Sequence, residues 1–185
     1  MAKRSWGPGE SFLARKRYWM KALRRSLEEN DAAWALHPHV REAVVELNKL
    51  PFVHTDDSAG PQILIGKTGH MEQFRNQKKT IKLAKKRGAA IFRRALIGIA
   101  FKKRHPKSLG FFSALNKWQK HHYPTARLIG DSDLVEVASP LEKPGEMSVH
   151  IHGKQIDERL EGARKFMADL HQFVRSYRLG LRKKL

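Results

Sequence analysis

The C-terminal part of the chain carries the feature that most constrains the fold, an apolar stripe at helical spacing. Its apolar residues recur at alternating steps of four and three: Ile156, Leu160, Ala163, Met167, Leu170, Val174, Tyr177 and Leu181. This spacing predicts one amphipathic helix of about 25 residues. Such a stripe must be buried, so we expect the helix to pack across a small sheet or to pair with another subunit. The C-terminal helix is therefore also a candidate surface for a protein partner.

Weaker patterns predict the other elements. Helices are expected at residues 10–29, 38–50, 70–87 and from Ser108, a candidate N-cap, through Trp118. Short strands are expected at residues 52–55, 62–65, 126–129, 134–138 and 147–152. Asp56 to Pro61 has the composition of a turn, and Pro140 to Glu146 is expected to close a hairpin. The apolar run Ala89–Phe101 fits a helix or a strand, and a helix is favoured because apolar residues recur in it every four positions.

Together these elements predict one α+β domain, helix-rich, with a small and mostly antiparallel sheet and a long C-terminal helix. The domain spans residues 10–185 and follows a basic tail at residues 1–9. A chain of 185 residues is long enough to bury a proper core.

Positive charge is concentrated in the middle of the chain. The net charge is +19, and residues 73–130 hold 16 Lys and Arg but no Asp or Glu. A surface with no special partner mixes the two signs, because like charges repel. Concentrated charge is favourable when a polyanion neutralises it, and nucleic acid is the commonest polyanion in cells.

This acid-free block supplies the candidate binding residues, in which cations contact phosphate and aromatic rings stack on bases. The candidates are Lys78, Lys79, Lys82, Lys85, Lys86, Arg87, Arg93, Arg94, Lys102, Lys103, Arg104, Lys107, Lys117, Trp118, Lys120 and Tyr123. Contacts of this kind do not separate RNA from DNA, but basic helices scattered along a chain favour RNA, either ribosomal or transfer RNA.

Several kinds of catalytic site are disfavoured. The chain has no cysteine, which excludes disulfides, thiolate metal sites and cysteine nucleophiles. Gly66-Lys67-Thr68 lacks the upstream glycine of a P-loop. His150 and His152 alternate on a predicted strand, but two imidazoles need further ligands to hold zinc. We expect no metal, no cofactor and no catalytic residue.

The segment Ser11–Leu27 has no acid and six cations, a composition that would suit either an organelle presequence or a basic first helix. The helix is favoured, because presequences are usually richer in serine. No apolar run reaches the length that spans a bilayer. We therefore expect an intracellular protein, cytoplasmic rather than organellar, with no membrane partner.

A resemblance to a known family lies in two parts of the chain. It is carried by Phe12, Lys16-Arg17-Tyr18 and Leu23, by Leu47-Asn48-Lys49-Leu50-Pro51 with Thr55, Ser58 and Gly60, and by Leu134–Pro140 and Gly145–His150 before the final helix. In this order of features the chain resembles the wybutosine-synthesis tRNA methyltransferases.

The resemblance implies a scaffold that acts on tRNA with S-adenosylmethionine. The family has a Thr-Ser-Ser-Cys-Ser-Gly-Arg-type loop where this chain has Thr55 to Pro61, and only Thr55 and Gly60 match it. Because the Cys and Arg positions differ, no catalytic residue is carried over. The leading expectation is a non-catalytic RNA-binding protein of the ribosome or another ribonucleoprotein. The alternatives are a tRNA-modifying enzyme and an interaction module for an acidic protein.

Overall fold

The computed structural model describes residues 11–28, 38–60, 62–64, 90–130, 134–140, 147–150 and 154–182. Four helices lie in these ranges: α1 (Phe12–Glu28), α2 (Pro38–Asn48), α3 (Pro106–His122) and α4 (Lys154–Arg182). Seven strands accompany them: β1 (Val53–Ala59), β2 (Gln62–Leu64), β3 (Ala90–Arg93), β4 (Leu96–Phe101), β5 (Arg127–Gly130), β6 (Leu134–Ala138) and β7 (Met147–His150). The expected α+β class is confirmed. The predicted tail at 1–9 and helix at 70–87 lie outside the described residues.

The strands form two antiparallel sheets, in the orders β1-β4-β6-β5 and β2-β3-β7. The register that pairs Ser58 with Ile97 continues without a shift to the pair Leu64 and Ile91. Therefore β1 with β2, and β3 with β4, are the two arms of one long hairpin. Leu64 and Ala90, which flank residues 65–89, lie at its far end.

The helix expected over Ala89–Phe101 is wrong, because this run forms β3 and β4. Spacing by four residues does not distinguish the two structures, since four is also a multiple of the two-residue period of a strand. Ile97, Gly98, Ile99, Ala100 and Phe101 are all buried, so β4 is covered on both faces. Burial on both faces removes the polar positions that would have revealed a strand.

Two loop predictions are also wrong. Asp56 to Ala59 belong to β1 rather than to a turn, and the pairing of β1 with β4 shifts between Thr55 and Ser58. A β-bulge of this kind absorbs an extra residue within a strand, so turn-forming residues can lie in a sheet. The segment after Pro140 does not close a hairpin, because β6 pairs with β4 and β5 whereas β7 pairs with β3.

The stripe of the C-terminal helix closes the core of this chain. Ala163, Met167, Leu170 and Val174 are buried in one apolar cluster with residues of α2, α3 and the four-stranded sheet. The helix prediction is therefore confirmed. A protein partner bound at α4 would have to contact its outer face, because the stripe is already in use.

A buried polar contact fixes α2 to β1. The Asn48 side-chain amide donates to the Thr55 hydroxyl at 2.7 Å, and the Thr55 backbone N–H donates to Asn48 Oδ1 at 3.2 Å. Both residues are at most 5% exposed. Two of the positions that carry the family resemblance thus have a structural role in this chain.

Candidate nucleic-acid interface

The loop between β4 and α3 holds the best-defined group of predicted cations. Lys102, Lys103 and Arg104 follow the last residue of β4, and Lys107 lies in the first turn of α3. Lys103 and Arg104 are exposed, while Lys102 and Lys107 are half-buried. We call these four residues the loop cations.

Hydrogen bonds hold the loop in one shape. The Lys102 N–H donates to the Phe52 carbonyl at 2.9 Å, and the Lys102 carbonyl accepts from the Ser108 hydroxyl at 2.9 Å. Arg104 has φ 57°, in the left-handed region that costs a residue with a side chain about 1–2 kcal/mol. A strained residue inside a firmly bonded loop is typical of a functional position.

His105, rather than the expected Ser108, caps α3. Its Nδ1 accepts a hydrogen bond from the Lys107 N–H at 3.2 Å, and Pro106 occupies the first turn. Burial and then the positive charges of Lys102 and Lys107 lower the pKa of His105. The ring is therefore neutral at pH 7, with its proton on Nε2, which leaves Nδ1 free to accept.

A cavity of about 700 Å³ opens beside this loop. One part of its wall is apolar and consists of Phe101, Leu109, Phe112 and Val135. The other part contains Lys102, Lys103, Arg104 and His105. The cavity therefore combines an apolar surface with a cationic one, and no acidic side chain of the described residues lines it.

Three of the loop cations, Lys102, Arg104 and Lys107, are not neutralised by acids of the described residues in the way that other cations are. Within the described ranges, Lys102, Arg104 and Lys107 form no ion pair, whereas Lys49, Lys165 and Arg178 each contact a carboxylate. The first turn of α3 also contains no acid. The positive potential at this loop is therefore available to an anion from outside the chain.

The structure places the other candidates in several different environments. Arg93 lies in β3, the central strand of the three-stranded sheet, between β2 and β7. Arg94 is only 2% exposed, so its expected role as a surface cation is wrong. Lys117 and Lys120 are exposed on α3. Lys78, Lys79, Lys82, Lys85, Lys86 and Arg87 lie outside the described residues.

The two expected stacking residues pack against the core and are partly buried. The Trp118 ring stacks on Phe173 with centroids 5.1 Å apart, and it also contacts Phe166. Tyr123 packs its ring edge-on against Phe166, and its hydroxyl donates to Asp169. These rings join α3 to α4, and both side chains remain partly exposed.

The apolar residues beside the loop cations were not predicted from the sequence. Leu109 is 75% exposed, and Phe112 is half-buried at the cavity wall. One feature of the sequence could have indicated them. Leu109 is a large apolar residue near the start of a helix that closely follows Lys102-Lys103-Arg104. Helical periodicity alone gives no reason to separate Leu109 and Phe112 from the core residues Phe111 and Leu115.

A second acid-free surface lies on α1. Arg17, Lys21, Arg24 and Arg25 are exposed there together with Leu13 and Met20. Helical spacing places Leu13, Arg17, Met20 and Arg24 along one line of the helix. This face is a secondary candidate, because the cavity described above lies beside the loop cations and is not lined by residues of α1.

In the described ranges, no group of three or more His, Cys, Asp or Glu side chains is arranged to hold a metal ion. His150 lies in β7, and His152 is outside the described residues. No helix of the described residues combines the length and apolar character needed to cross a bilayer.

No family model and no curated protein matches this chain. Two solved structures of the PH1069 protein from Pyrococcus horikoshii are similar to it over most of both chains. One has 12% sequence identity and a TM-score of 0.50, covering 90% of this chain and 91% of that one. The other has 14% identity and a TM-score of 0.49, covering 89% and 91%.

A hypothetical protein from Aeropyrum pernix covers 76% of this chain and 94% of its own, with 9% identity and a TM-score of 0.37. At such low identity, the first of these three comparisons shows a shared fold and nothing about activity. The candidate interface therefore depends on the residues of this chain alone.

Proposed function

We propose that this chain is a non-catalytic RNA-binding protein that contacts the phosphate backbone, as a component of the ribosome or of another ribonucleoprotein. The single observation that carries the proposal is the loop Lys102–Lys107, where Lys102 and Arg104 line an open cavity and have no acidic partner among the described residues. Ribosomal or transfer RNA is the proposed ligand class, and a cytoplasmic location accompanies the proposal.

Electrostatics favours a polyanion over a small acidic ligand at this loop. Binding to phosphates releases counterions from the nucleic acid, and this release supplies most of the affinity of sequence-independent binding. The backbone of the loop is held in a fixed position by the bonds of Lys102 and by the cap at His105, so little backbone freedom is lost on binding. A fixed, positively charged loop therefore suits a backbone with regularly spaced phosphates.

The test is a variant that neutralises three loop cations, Lys102→Gln, Arg104→Gly and Lys107→Gln. Its affinity for a fluorescent single-stranded RNA of about 16 nucleotides is measured by anisotropy. We expect affinity at 100 mM salt to fall by about tenfold or more, since each lost phosphate contact removes an electrostatic contribution. Glycine at position 104 accepts the left-handed backbone, so this substitution does not strain the loop.

The matched control is Arg164→Gln on α4. The Arg164 side chain is exposed, and its Nη1 lies 3.7 Å from Oε2 of Glu161. The positive charge of Arg164 is therefore already compensated. The control is expected to bind like the unsubstituted protein. If the triple variant binds RNA as tightly as the unsubstituted protein, the loop is not the phosphate site. If the unsubstituted protein binds no RNA at all, the proposed function is wrong.

A tRNA-modifying enzyme related to the wybutosine-synthesis methyltransferases is the alternative suggested by the family resemblance. It has less support, because Asp56 to Ala59 lie in a paired strand and the Thr55 hydroxyl is occupied by Asn48. Incubation with labelled S-adenosylmethionine and tRNA separates the two proposals. Methyl transfer to tRNA would establish the enzyme, and tight binding without transfer would leave the non-catalytic protein.

An acidic protein is the other ligand that this surface suits. Native purification at low salt distinguishes it from RNA through the ratio of absorbance at 260 and 280 nm. Nucleic acid released by salt supports the RNA-binding proposal, and a co-purifying acidic protein without nucleic acid contradicts it.

A further inference from the structure

The cavity beside the loop cations is larger than backbone binding requires. Phosphate contacts need only exposed cations, as on the outer face of α1. Here the cations border a cavity of about 700 Å³, within the range of about 300–1,000 Å³ that is usual for small-molecule pockets. The extra volume and the apolar wall need an explanation beyond charge.

One side chain of the apolar wall, Leu109, is in contact with solvent to an extent that folding alone does not explain, whereas Phe101 and Val135 belong to the buried core. Leu109 is 75% exposed although it lies in the first turn of a helix whose Phe111 and Leu115 are buried in the core. Phe112 meets Phe101 edge-on, with centroids 6.0 Å apart and ring planes at 84°. Both rings and Leu109 line the cavity, so a flat apolar group could contact them there.

The cations stand beside this apolar wall. Lys102, Lys103 and Arg104 line the same cavity, and Arg104 is held there by a left-handed backbone. The ligand class that matches is one with a flat aromatic part joined to an anion. A nucleotide has this combination, with a base that stacks on aromatic and apolar side chains and a phosphate that pairs with cations.

We propose that the cavity receives one unstacked base of single-stranded RNA, while the adjoining phosphates contact the loop cations. This inference rests on the proposed RNA-binding function and specifies its ligand. In an RNA duplex the bases are paired and stacked, and proteins contact mainly the 2′-hydroxyls and phosphates. The cavity therefore favours single strands, loops or strand ends over continuous duplex.

The test compares one RNA of about 16 nucleotides as a single strand and as a duplex. A 2-aminopurine base within the strand reports stacking through its fluorescence. We expect the single strand to bind about tenfold more tightly than the duplex and the 2-aminopurine signal to change on binding, since one stacked base contributes about a factor of ten.

Two variants remove the wall without changing charge: Leu109→Ser and Phe112→Leu. Each is expected to weaken single-strand binding several-fold to about tenfold and to leave duplex binding nearly unchanged. Leu179→Ser is the matched control, because Leu179 is an exposed leucine on α4, at 41% exposure, outside the cavity. Leu109 is the decisive position, since its exposed side chain is not needed for folding.

The outcomes separate this inference from the proposed function. Equal affinity for single strand and duplex, or a Leu109→Ser variant that retains full single-strand affinity, overturns the base-binding cavity while RNA binding itself stands. Absence of any RNA binding by the unsubstituted protein overturns both.

Discussion

His54 has an environment in which its charged form is strongly disfavoured. The residue lies in β1, is 1% exposed, and packs against Phe12 of α1 with ring centroids 5.1 Å apart. Its Nδ1 donates to the Thr55 carbonyl at 3.3 Å, while Nε2 has no partner in the described part of the chain. Burial, together with the positive charges of Arg15 and Lys16, lowers the pKa of His54 to about 4.

This shift predicts a loss of stability in mild acid. In the unfolded chain the imidazole has a pKa of about 6.5, so protons bind the unfolded state more readily than the folded one. The neutral imidazole of His54 therefore makes its full contribution to the free energy of unfolding above pH 6.5, and this contribution is lost as the pH falls toward 4. Between pH 7 and pH 5 the free energy of unfolding should fall by about 2 kcal/mol from this residue. Urea unfolding at the two pH values measures it.

His54→Phe is the control, because phenylalanine keeps a ring against Phe12 but does not titrate. The carboxylates of Glu46 and Asp169 have lowered pKa values, so they lose their contributions below pH 5 and do not interfere. The same pH dependence in the variant and in the unsubstituted protein would show that another group is responsible.

For single residues, the sequence predicts the chemical type of a side chain better than it predicts which other residues surround that side chain in the fold. That Lys102, Lys103, Arg104 and Lys107 are cations in an acid-free block was predictable, because charge is read directly from the chain. That Arg94 is buried was not predictable, since burial depends on what packs over a strand. The contact of Trp118 with Phe173 was not predictable for the same reason, because the two residues are distant in sequence.

Between elements, α2 and α4 are joined by a buried ionic contact. Glu46 is 2% exposed, and its carboxylate accepts from Lys49 at 2.7 Å and from Arg178 at 2.5 Å. Burial would raise the pKa of Glu46, but the hydrogen bonds and charges of Lys49 and Arg178 outweigh it and lower the pKa. The carboxylate is thus charged at neutral pH and depends on its two partners.

Arg178→Met should destabilise the protein, because Glu46 then remains buried with one cation instead of two. Removing one partner of a buried ion pair costs about 3 kcal/mol. The measurement is the free energy of unfolding at pH 7, and the control is Arg175→Met, an exposed position on the same helix. If both variants lose the same small amount, the contact does not stabilise the packing of α2 on α4.

The elements differ in how well the sequence predicts them. The C-terminal helix was predictable because its stripe continues for seven steps with a period that fits only a helix. The strands β3 and β4 were not, because burial on both faces hides the alternation of a strand. The extension of β1 through Asp56 and Asp57 was also missed, since turn-forming residues are compatible with a β-bulge.

For the whole molecule, the unequal distribution of charge predicts how RNA binding responds to salt. The logarithm of the association constant should fall linearly with the logarithm of salt concentration, with a slope of about −0.7 for each phosphate contact to a single strand. The slope depends on the number of phosphate contacts, whereas the affinity at one salt concentration also includes the stacking of bases and the packing of apolar side chains.

Neutralising Lys102, Arg104 and Lys107 together should therefore make the slope shallower by about 2, from three contacts of about 0.7 each. The slope is measured by anisotropy titrations at several salt concentrations, with Arg164→Gln as the control that keeps the original slope. Leu109→Ser should instead shift the line downward without changing its slope, because an apolar wall releases no counterions. A triple variant whose line is merely parallel to the original would mean that these cations do not contact phosphate. Distinguishing the slope from the offset thus separates the charge of the loop from the apolar surface beside it.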